Sequence, residues 1–370
     1  MIYLDSAATS MLKPESVKYA MMRALDSMAS PGRGSYRAAM LAADKVFECR
    51  ELACRLFHFD KPENVVFTVN ATHALNIAIQ STVKRGDKVL ISGYEHNSVT
   101  RVLHAIGAEV SVAASPLFDS QAAVTAFEKQ IKNKNTVIVN HVSNVFGFIQ
   151  PIEKIAELCR KNRVPLIIDA SQSAGIIDID FNALGAKYIA MPGHKGLLGP
   201  QGTGVLLCAD KPKPLLFGGT GSDSIDQNMP AYLPDIAEAG THNVVGIAGL
   251  TEGIRYVLNR GADNIGEYEK RHCRHMAKTL GEIDGIEVFA GRSDNQAGVV
   301  SFRHASRDPE SICEAMGERG IAARCGLHCA PLAHKTAGTL DTGTVRLSFS
   351  PFISDDQLFE AERIIKNLLI

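Results

Sequence analysis

Residues 164–172 read Val-Pro-Leu-Ile-Ile-Asp-Ala-Ser-Gln, a short apolar run that ends in a carboxylate. Such a run is typical of a strand buried inside an α/β sheet. Because ligands bind beyond the carboxyl ends of parallel strands, Asp169 is predicted to lie at a ligand-binding edge. Taken alone, an Asp at this point is as readily explained as a turn or helix-capping residue.

Short apolar runs alternate with helical patterns on both sides of this stretch, from about residue 60 to 210. The alternation predicts an α/β fold with a large, mostly parallel sheet, and the final third predicts a smaller α+β C-terminal domain. We expect the helices at 14–28 and 37–57 to pack with the small domain or at a subunit contact. The predicted division is 1–30, an N-terminal segment packing with the small domain, 31–260, the large domain, and 261–370, the small domain.

Composition excludes several classes of protein. A formal net charge of -1 over 370 residues offers no basic surface for nucleic acid. No apolar run approaches the roughly 20 residues of a membrane helix, and the first residues lack a signal-peptide pattern. The 8 cysteines show no disulfide spacing, which fits a reducing compartment, so a cytoplasmic location is expected.

Lys195 lies in the glycine-rich stretch Met-Pro-Gly-His-Lys-Gly at 191–196, after another apolar run. A lysine on such a loop has little packing purpose. Enzymes that use pyridoxal 5'-phosphate (PLP) need a lysine amine that binds the cofactor covalently and a carboxylate facing the pyridine nitrogen. The pair of Lys195 and Asp169 therefore predicts PLP as the cofactor.

The phosphate of PLP needs backbone donors, and the stretch Phe-Thr-Val-Asn-Ala-Thr-His at 67–73 predicts a strand, a turn and a helix start. Anions bind at helix N-termini, although a Thr at a helix start is more often only a cap. The glycines around residues 218–221 do not form a G-x-G-x-x-G dinucleotide motif, so we discard NAD.

Residues 324–331 read Arg-Cys-Gly-Leu-His-Cys-Ala-Pro. A cysteine beside His and near Arg in a Gly/Pro loop has the surroundings of a thiolate nucleophile, whereas an isolated cysteine is more often buried and inert. Cys325, His328, Cys329 and His334 are also candidate zinc ligands. Their spacing matches none of the usual zinc patterns, so no metal is expected.

Taken together, these motifs resemble the class V aminotransferase-like family, and within it the cysteine desulfurase and selenocysteine lyase group. The resemblance covers nearly the whole chain, through the segments 3–9, 70–72, 95–97, 143–147, 169–173, 193–195, 238–241 and 324–331. It implies the type I fold of PLP-dependent transferases, with the catalytic cysteine loop in the small domain. It also implies conversion of L-cysteine to L-alanine, with a persulfide formed on Cys329 and passed to an acceptor.

The resemblance also implies roles for individual residues. The catalytic residues are Lys195, which binds PLP, Cys329, which takes the sulfur, and His96, which stacks on the cofactor ring. The cofactor-binding residues are Lys195, Asp169, Gln172, Ala71, Thr72, His96, His194, Asn144 and Thr241. The substrate-binding residues are Arg346, Asn144, Arg324 and Arg33. The family forms homodimers with shared active sites, so Thr241 is expected to reach the cofactor phosphate in the partner subunit.

Two features of the sequence qualify the family resemblance: one residue differs from the family, and the cysteine loop is of the short type. Pro192 stands where relatives usually have Ser or Thr, and a proline cannot donate a hydrogen bond to the phosphate. The short cysteine loop favours a dedicated sulfur-acceptor protein, as in iron–sulfur cluster assembly. Alternatives stay open: a selenocysteine lyase, another PLP-dependent C–S lyase or aminotransferase, a metal-binding or redox module, and an inactive scaffold.

Overall fold

The computed structural model describes residues 1–32, 34–291 and 293–369. The helices are α1 (Glu15–Ser27), α2 (Arg37–Leu56), α3 (Ala71–Thr82), α4 (Asn97–Ile106), α5 (Ser120–Gln130), α6 (Ile152–Asn162), α7 (Phe181–Leu184), α8 (Val244–Arg260), α9 (Ala262–Gly281), α10 (Pro309–Glu318), α11 (Pro331–Ala337) and α12 (Asp355–Leu369). The strands are β1 (Ile2–Tyr3), β2 (Val65–Thr68), β3 (Lys88–Ser92), β4 (Glu109–Ala113), β5 (Thr136–Asn140), β6 (Leu166–Asp169), β7 (Tyr188–Pro192), β8 (Gly204–Cys208), β9 (Ile286–Phe289), β10 (Val299–His304), β11 (Ile321–Ala322), β12 (Arg324–Gly326) and β13 (Thr344–Ser348).

A seven-stranded sheet in the order β2-β8-β7-β6-β5-β3-β4 forms the centre of the fold. Strands β7, β6, β5, β3 and β4 run parallel, and β8 is antiparallel to both of its neighbours. Strands β5 and β6 are buried along their whole length, as expected for parallel strands covered by helices on both faces. The predicted α/β class with a large, mostly parallel sheet is confirmed.

A second, four-stranded antiparallel sheet has the order β12-β13-β10-β9. It packs against α9, α10 and α12 around its own core, which includes Phe302, Met316 and Ile365. Two other clusters cover the faces of the central sheet, one with α2, α6 and α8 and the other with α3 and α4. These separate cores fit two structural units, while the limits of the three segments stay a prediction.

The N-terminal residues contact both units. Strand β1 pairs with β11 in the C-terminal part, and Asp5 forms a bridge with Ser348. Helices α1 and α2 pack mainly against α8, which lies inside the range predicted for the large domain. The first strand therefore joins the C-terminal part, but the two helices after it do not lie chiefly against the small sheet.

Strand register positions the site. Asn140 at the end of β5 lies beside Asp169 at the end of β6, and β7 ends next to them at Pro192. The loop at 193–196 that carries Lys195 begins directly after β7. Three carboxyl ends thus meet at one edge. Across the described ranges, no helix has both the length and the apolar character needed to cross a membrane.

Candidate active site

A cavity of about 220 Å³ lies where these strand ends face the N-termini of α3 and α4 and the loop after β12. The structure brings eleven of the predicted site residues to its wall: Lys195, Cys329, His96, Asp169, Gln172, Ala71, Thr72, His194, Asn144, Arg346 and Arg324. The cavity therefore gathers residues that the sequence spreads over 276 positions, from Ala71 to Arg346.

The amine of Lys195 is removed from bulk water. Burial lowers its pKa from 10.5 to about 8, the charge of Asp169 opposes that shift, and the cations Arg346 and Arg324 add to it. A lowered pKa leaves a larger fraction of the amine neutral at physiological pH, and the neutral amine is the nucleophilic form. Lys195 can therefore bind a carbonyl group covalently.

Asp169 is 4% exposed and supplies the negative charge of the cavity. Its Oδ1 accepts a hydrogen bond from the Ser171 backbone N–H at 2.9 Å. The neighbouring Gln172 donates from Nε2 to the Ala7 carbonyl at 2.9 Å, which fixes this side chain against the N-terminal segment. The carboxylate is thus held in place at the strand edge, where it lines the cavity and is available to a ligand.

His96 is the N-cap of α4 and contributes a half-buried ring to the cavity wall. Its Nδ1 accepts a hydrogen bond from the Ser98 backbone N–H at 3.0 Å. Burial lowers the pKa of His96, so the ring is neutral at pH 7 and carries its proton on Nε2. A neutral aromatic ring in this position can stack on a planar ligand.

The start of α3 provides an anion site. Asn70 caps this helix by accepting from the His73 N–H at 2.9 Å, and the first N–H groups of a helix have no partner within it. Thr72 lines the cavity there, and its Oγ1 lies 2.8 Å from Ser98 Oγ. His194 lies nearby on the cavity wall, with Nδ1 2.9 Å from Thr9 Oγ1.

Cys329 is exposed at the cavity wall, on a loop with an unusual backbone. His328 and Cys329 both have left-handed φ angles, 49° and 57°, a conformation that costs non-glycine residues energy and occurs often at functional sites. Two hydrogen bonds hold the loop: Asn97 N–H donates to the Cys329 carbonyl at 2.9 Å, and Asn144 Nδ2 donates to the His328 carbonyl at 2.8 Å. Cys329 is therefore exposed on a loop whose backbone is held in position.

Arg346 is 2% exposed and connects three segments. Its Nη2 donates to Asp5 Oδ1 at 2.7 Å and its Nη1 donates to the Asn144 carbonyl at 2.9 Å. In the described part of the chain, Arg346 Nε and Asn144 Oδ1 are buried without a hydrogen-bond partner. Arg324 lies opposite Arg346 on the paired strand β12. Two guanidinium groups at one wall suit a carboxylate ligand.

Two predicted residues lie elsewhere. Thr241 does not line this cavity but a second one of about 130 Å³ that also includes His73 and Glu238. The prediction for Arg33 falls outside the described residues. Within those residues, no group of three or more His, Cys, Asp or Glu side chains is arranged to bind a metal ion.

The sequence analysis gave no role to three residues that the structure places at the site, Asp5, Asn140 and Ser98. Asp5 pairs with Arg346 and lies in the segment 3–9 that carried the resemblance. Asn140 ends a predicted strand beside Asp169, and Ser98 follows His96 by two residues. The rule that ligands bind at carboxyl ends of parallel strands was sufficient to find Asn140.

Comparisons with known proteins agree with this geometry. The family model described as "Aminotransferase class-V" matches residues 2–358. The chain belongs to the class-V aminotransferase family. A probable cysteine desulfurase of Methanothermobacter thermautotrophicus is 31% identical, over 96% of this chain and 92% of that protein. Another from Halalkalibacterium halodurans is 32% identical, over 94% of this chain and 88% of that protein.

A solved structure of a cysteine desulfurase also resembles this chain over its whole length. The apo cysteine desulfurase of Thermococcus onnurineus aligns over 100% of this chain and 94% of its own, with a TM-score of 0.92 and 31% sequence identity. Class-V aminotransferases depend on PLP, and both the predicted cofactor and the predicted type I fold are confirmed at the level of the family.

The residues present fit PLP. The cavity offers an amine of lowered pKa at Lys195, a fixed carboxylate at Asp169, a neutral ring at His96 and a helix N-terminus at Ala71 and Thr72. This donor set matches the aldehyde, the pyridine nitrogen, the ring face and the phosphate of the cofactor. Pro192 lines the cavity without an N–H to donate. The Ser98 hydroxyl beside Thr72 is an additional donor at the same wall.

We predict that Lys195→Ala removes the visible absorbance of the lysine-bound cofactor and lowers turnover by roughly 1000-fold or more, because the lost group is the covalent anchor. The measurement is an absorbance spectrum of the purified protein, followed by borohydride reduction and peptide mapping. Lys13 is the control, since burial also lowers its pKa to about 8 but it does not line the cavity. An unchanged spectrum in Lys195→Ala, or its loss in Lys13→Ala, contradicts the assignment.

Proposed function

We propose that this protein is a PLP-dependent cysteine desulfurase that converts L-cysteine to L-alanine and retains the sulfur as a persulfide on Cys329. The observation that carries the proposal is an exposed thiol, fixed on a hydrogen-bonded loop, at the wall of the cavity that contains Lys195 and Asp169. A transaminase has no need of a thiol at this point. The probable cysteine desulfurases that the chain resembles support the same activity.

The substrate is held through its carboxylate. Arg346 supplies a buried guanidinium whose Nε is free within the described residues. Asn144 Nδ2 donates one proton to the His328 carbonyl and has a second proton for the carboxylate. Arg324, opposite Arg346, is exposed and adds positive charge at the same wall. Bidentate binding by Arg fixes the orientation of an amino acid in the cavity whose wall includes Cys329.

PLP held by Lys195 and Asp169 would supply an electron sink for the α-carbon of the substrate, and the Asp169 carboxylate would keep its pyridine nitrogen protonated. The Lys195 amine is the base that accepts the α-proton of the substrate and later returns a proton to the product carbon. The Cys329 thiolate attacks the substrate sulfur, the carbon–sulfur bond breaks, and alanine leaves. The sulfur atom stays on Cys329 and a second thiol, on an acceptor protein, takes it.

We propose selenocysteine as a second substrate, since selenium takes the place of sulfur on the same β-carbon. A panel of cysteine, selenocysteine and other amino acids, scored for alanine, sulfide and selenide, separates a desulfurase from a selenocysteine lyase or another C–S lyase.

We also propose that the acceptor belongs to iron–sulfur cluster assembly, that the enzyme acts in the cytoplasm, and that residues 261–370 form a small domain carrying the cysteine loop.

A homodimer is the proposed assembly, because apolar side chains are exposed on α1 and α2. Tyr19, Met22 and Leu25 follow one another at intervals of three on α1, and Met40 and Phe47 share one face of α2. We call these five residues the helical apolar surface. Contiguous apolar patches on a soluble protein mark contact sites. In such a dimer Thr241, outside the cavity of its own chain, is proposed to bind the cofactor phosphate of the partner subunit.

We predict that Cys329→Ser keeps the cofactor spectrum but lowers alanine formation from cysteine by roughly 1000-fold, because a hydroxyl is a far weaker nucleophile toward sulfur than a thiolate. Alanine is measured by amino-acid analysis after incubation with cysteine and a reductant. Cys325→Ser, four residues earlier on strand β12, is the matched control and should retain most of the activity. Full activity in Cys329→Ser refutes the role of this thiol.

We predict that Phe47→Glu shifts the protein from dimer to monomer, since a charge in an apolar interface loses its hydration without gaining a partner. Sedimentation velocity measures the change, and circular dichroism checks that the fold is kept. Val110→Glu, at another exposed apolar position on the edge strand β4, is the control and should stay dimeric. A dimer that survives in Phe47→Glu places the interface on another surface.

A further inference from the structure

Strands β12 and β13 present different residues on their two faces. In this antiparallel pair Arg324 lies opposite Arg346, and both line the cavity. Cys325 lies opposite Val345, a fully buried residue of the C-terminal core. Because successive side chains of a strand point to opposite faces, Cys325 points away from the cavity and toward that core. The proposed reaction therefore leaves Cys325 unused, although it is only four residues from Cys329.

Helix α10 covers this far face of the strand pair. It packs against both β12 and β13, and Ile312 and Met316 belong to the core that contains Val345. Cys313, next to Ile312, lies on the same helix and packs against the edge of that core. The Cys313 and Cys325 side chains are close enough for each thiol to shift the pKa of the other. Both residues are partly exposed, and both cysteines are free.

We propose that Cys313 and Cys325 are a redox-active pair that forms a reversible intrachain disulfide, joining α10 to β12 behind the cysteine loop. With a peroxide as oxidant, the Cys325 thiolate attacks the peroxide oxygen and hydroxide or water leaves, giving a sulfenic acid on Cys325. The Cys313 thiol then attacks Cys325 Sγ, water leaves, and the disulfide forms. A dithiol reductant reverses the reaction by thiol–disulfide exchange.

The environment of the pair sets how readily it reacts. Burial raises the pKa of Cys325 and raises the pKa of Cys313 well above its usual range. Because the thiolate is the reactive form, the pair stays reduced under mild conditions and responds only to stronger or longer oxidation. The Cys313–Cys325 pair is therefore less readily oxidised by low concentrations of peroxide than the exposed Cys329.

The disulfide acts on the site through strand β12. Arg324 directly precedes Cys325, and the loop that carries Cys329 follows Gly326, whose φ is +90°. A sulfur–sulfur bond holds the Cα atoms of the two cysteines at roughly 5.5 Å, which fixes β12 against α10 in one geometry. A displacement of about 1 Å in a positioning element can cost roughly 100-fold in rate. Oxidation of the pair is therefore expected to lower turnover.

The first test maps the bond in the full-length holoenzyme. The Cys329→Ala variant removes the exposed thiol, so that hydrogen peroxide acts on the other cysteines. After treatment, alkylation of the remaining thiols and non-reducing peptide mapping should find the peptides of Cys313 and Cys325 linked within one chain. Cys159 and Cys273 are buried, so they should remain reduced and react with the alkylating reagent only after the protein is unfolded. Cys313 and Cys325 recovered as free, alkylated thiols overturn the proposal.

The second test measures the effect on activity and rests on the proposed desulfurase function. Wild type and Cys313→Ala are treated with the same peroxide concentration, then assayed before and after dithiothreitol. Oxidation of Cys329 lowers the activity of both proteins to the same extent. Any difference in activity loss between wild type and Cys313→Ala is therefore due to the Cys313–Cys325 pair. Wild type should lose roughly tenfold more activity than Cys313→Ala and regain it with dithiothreitol. Equal losses refute the regulatory effect, and absence of alanine formation in untreated protein would count against the desulfurase function instead.

Discussion

The ion pair between buried Arg346 and partly buried Asp5 joins the parts of the chain on which the site depends. Asp5 belongs to the N-terminal segment, Arg346 to the C-terminal sheet, and the same guanidinium donates to the carbonyl of Asn144 in the loop after β5. Removing Asp5 would leave the buried guanidinium without its carboxylate partner, which destabilises the fold. Arg346 also lines the cavity, and its Nε has no partner within the residues described, so the residue that connects these segments also offers a carboxylate site.

Around this connection the cavity is electrostatically asymmetric. The Asp169 carboxylate is held at the strand edge. Three basic side chains lie near it: Lys195, Arg346 and Arg324. Lys195 is the one whose charge is most easily given up, because burial lowers its pKa to about 8. A lysine whose positive charge is weakened by burial, beside a carboxylate held in place, is what covalent PLP chemistry requires. The strained, exposed Cys329 lies at the same wall.

Local patterns were sufficient to predict most of the fold. The alternation of short apolar runs with helical patterns from about residue 60 to 210 predicted the large, mostly parallel sheet, because each run has the length of a buried strand and is bounded by turn or capping residues. The three-residue strand Arg324–Gly326 was missed, since so short an element has no period to detect. The Asp5–Arg346 pair spans 341 positions in sequence, and no local rule connects such residues. The cysteine on the far face of β12 became interpretable only once the register of β13 was known.

The central claim is that Cys329 takes the sulfur of the substrate, and mass spectrometry of the loop peptide tests it most directly. Wild-type holoenzyme is incubated with L-cysteine without reductant, the thiols and persulfides are alkylated, and the peptides are analysed. The account predicts one added sulfur atom on Cys329, in proportion to the alanine released. Added sulfur found on Cys325 alone, or alanine released with no sulfur retained on Cys329, would contradict it.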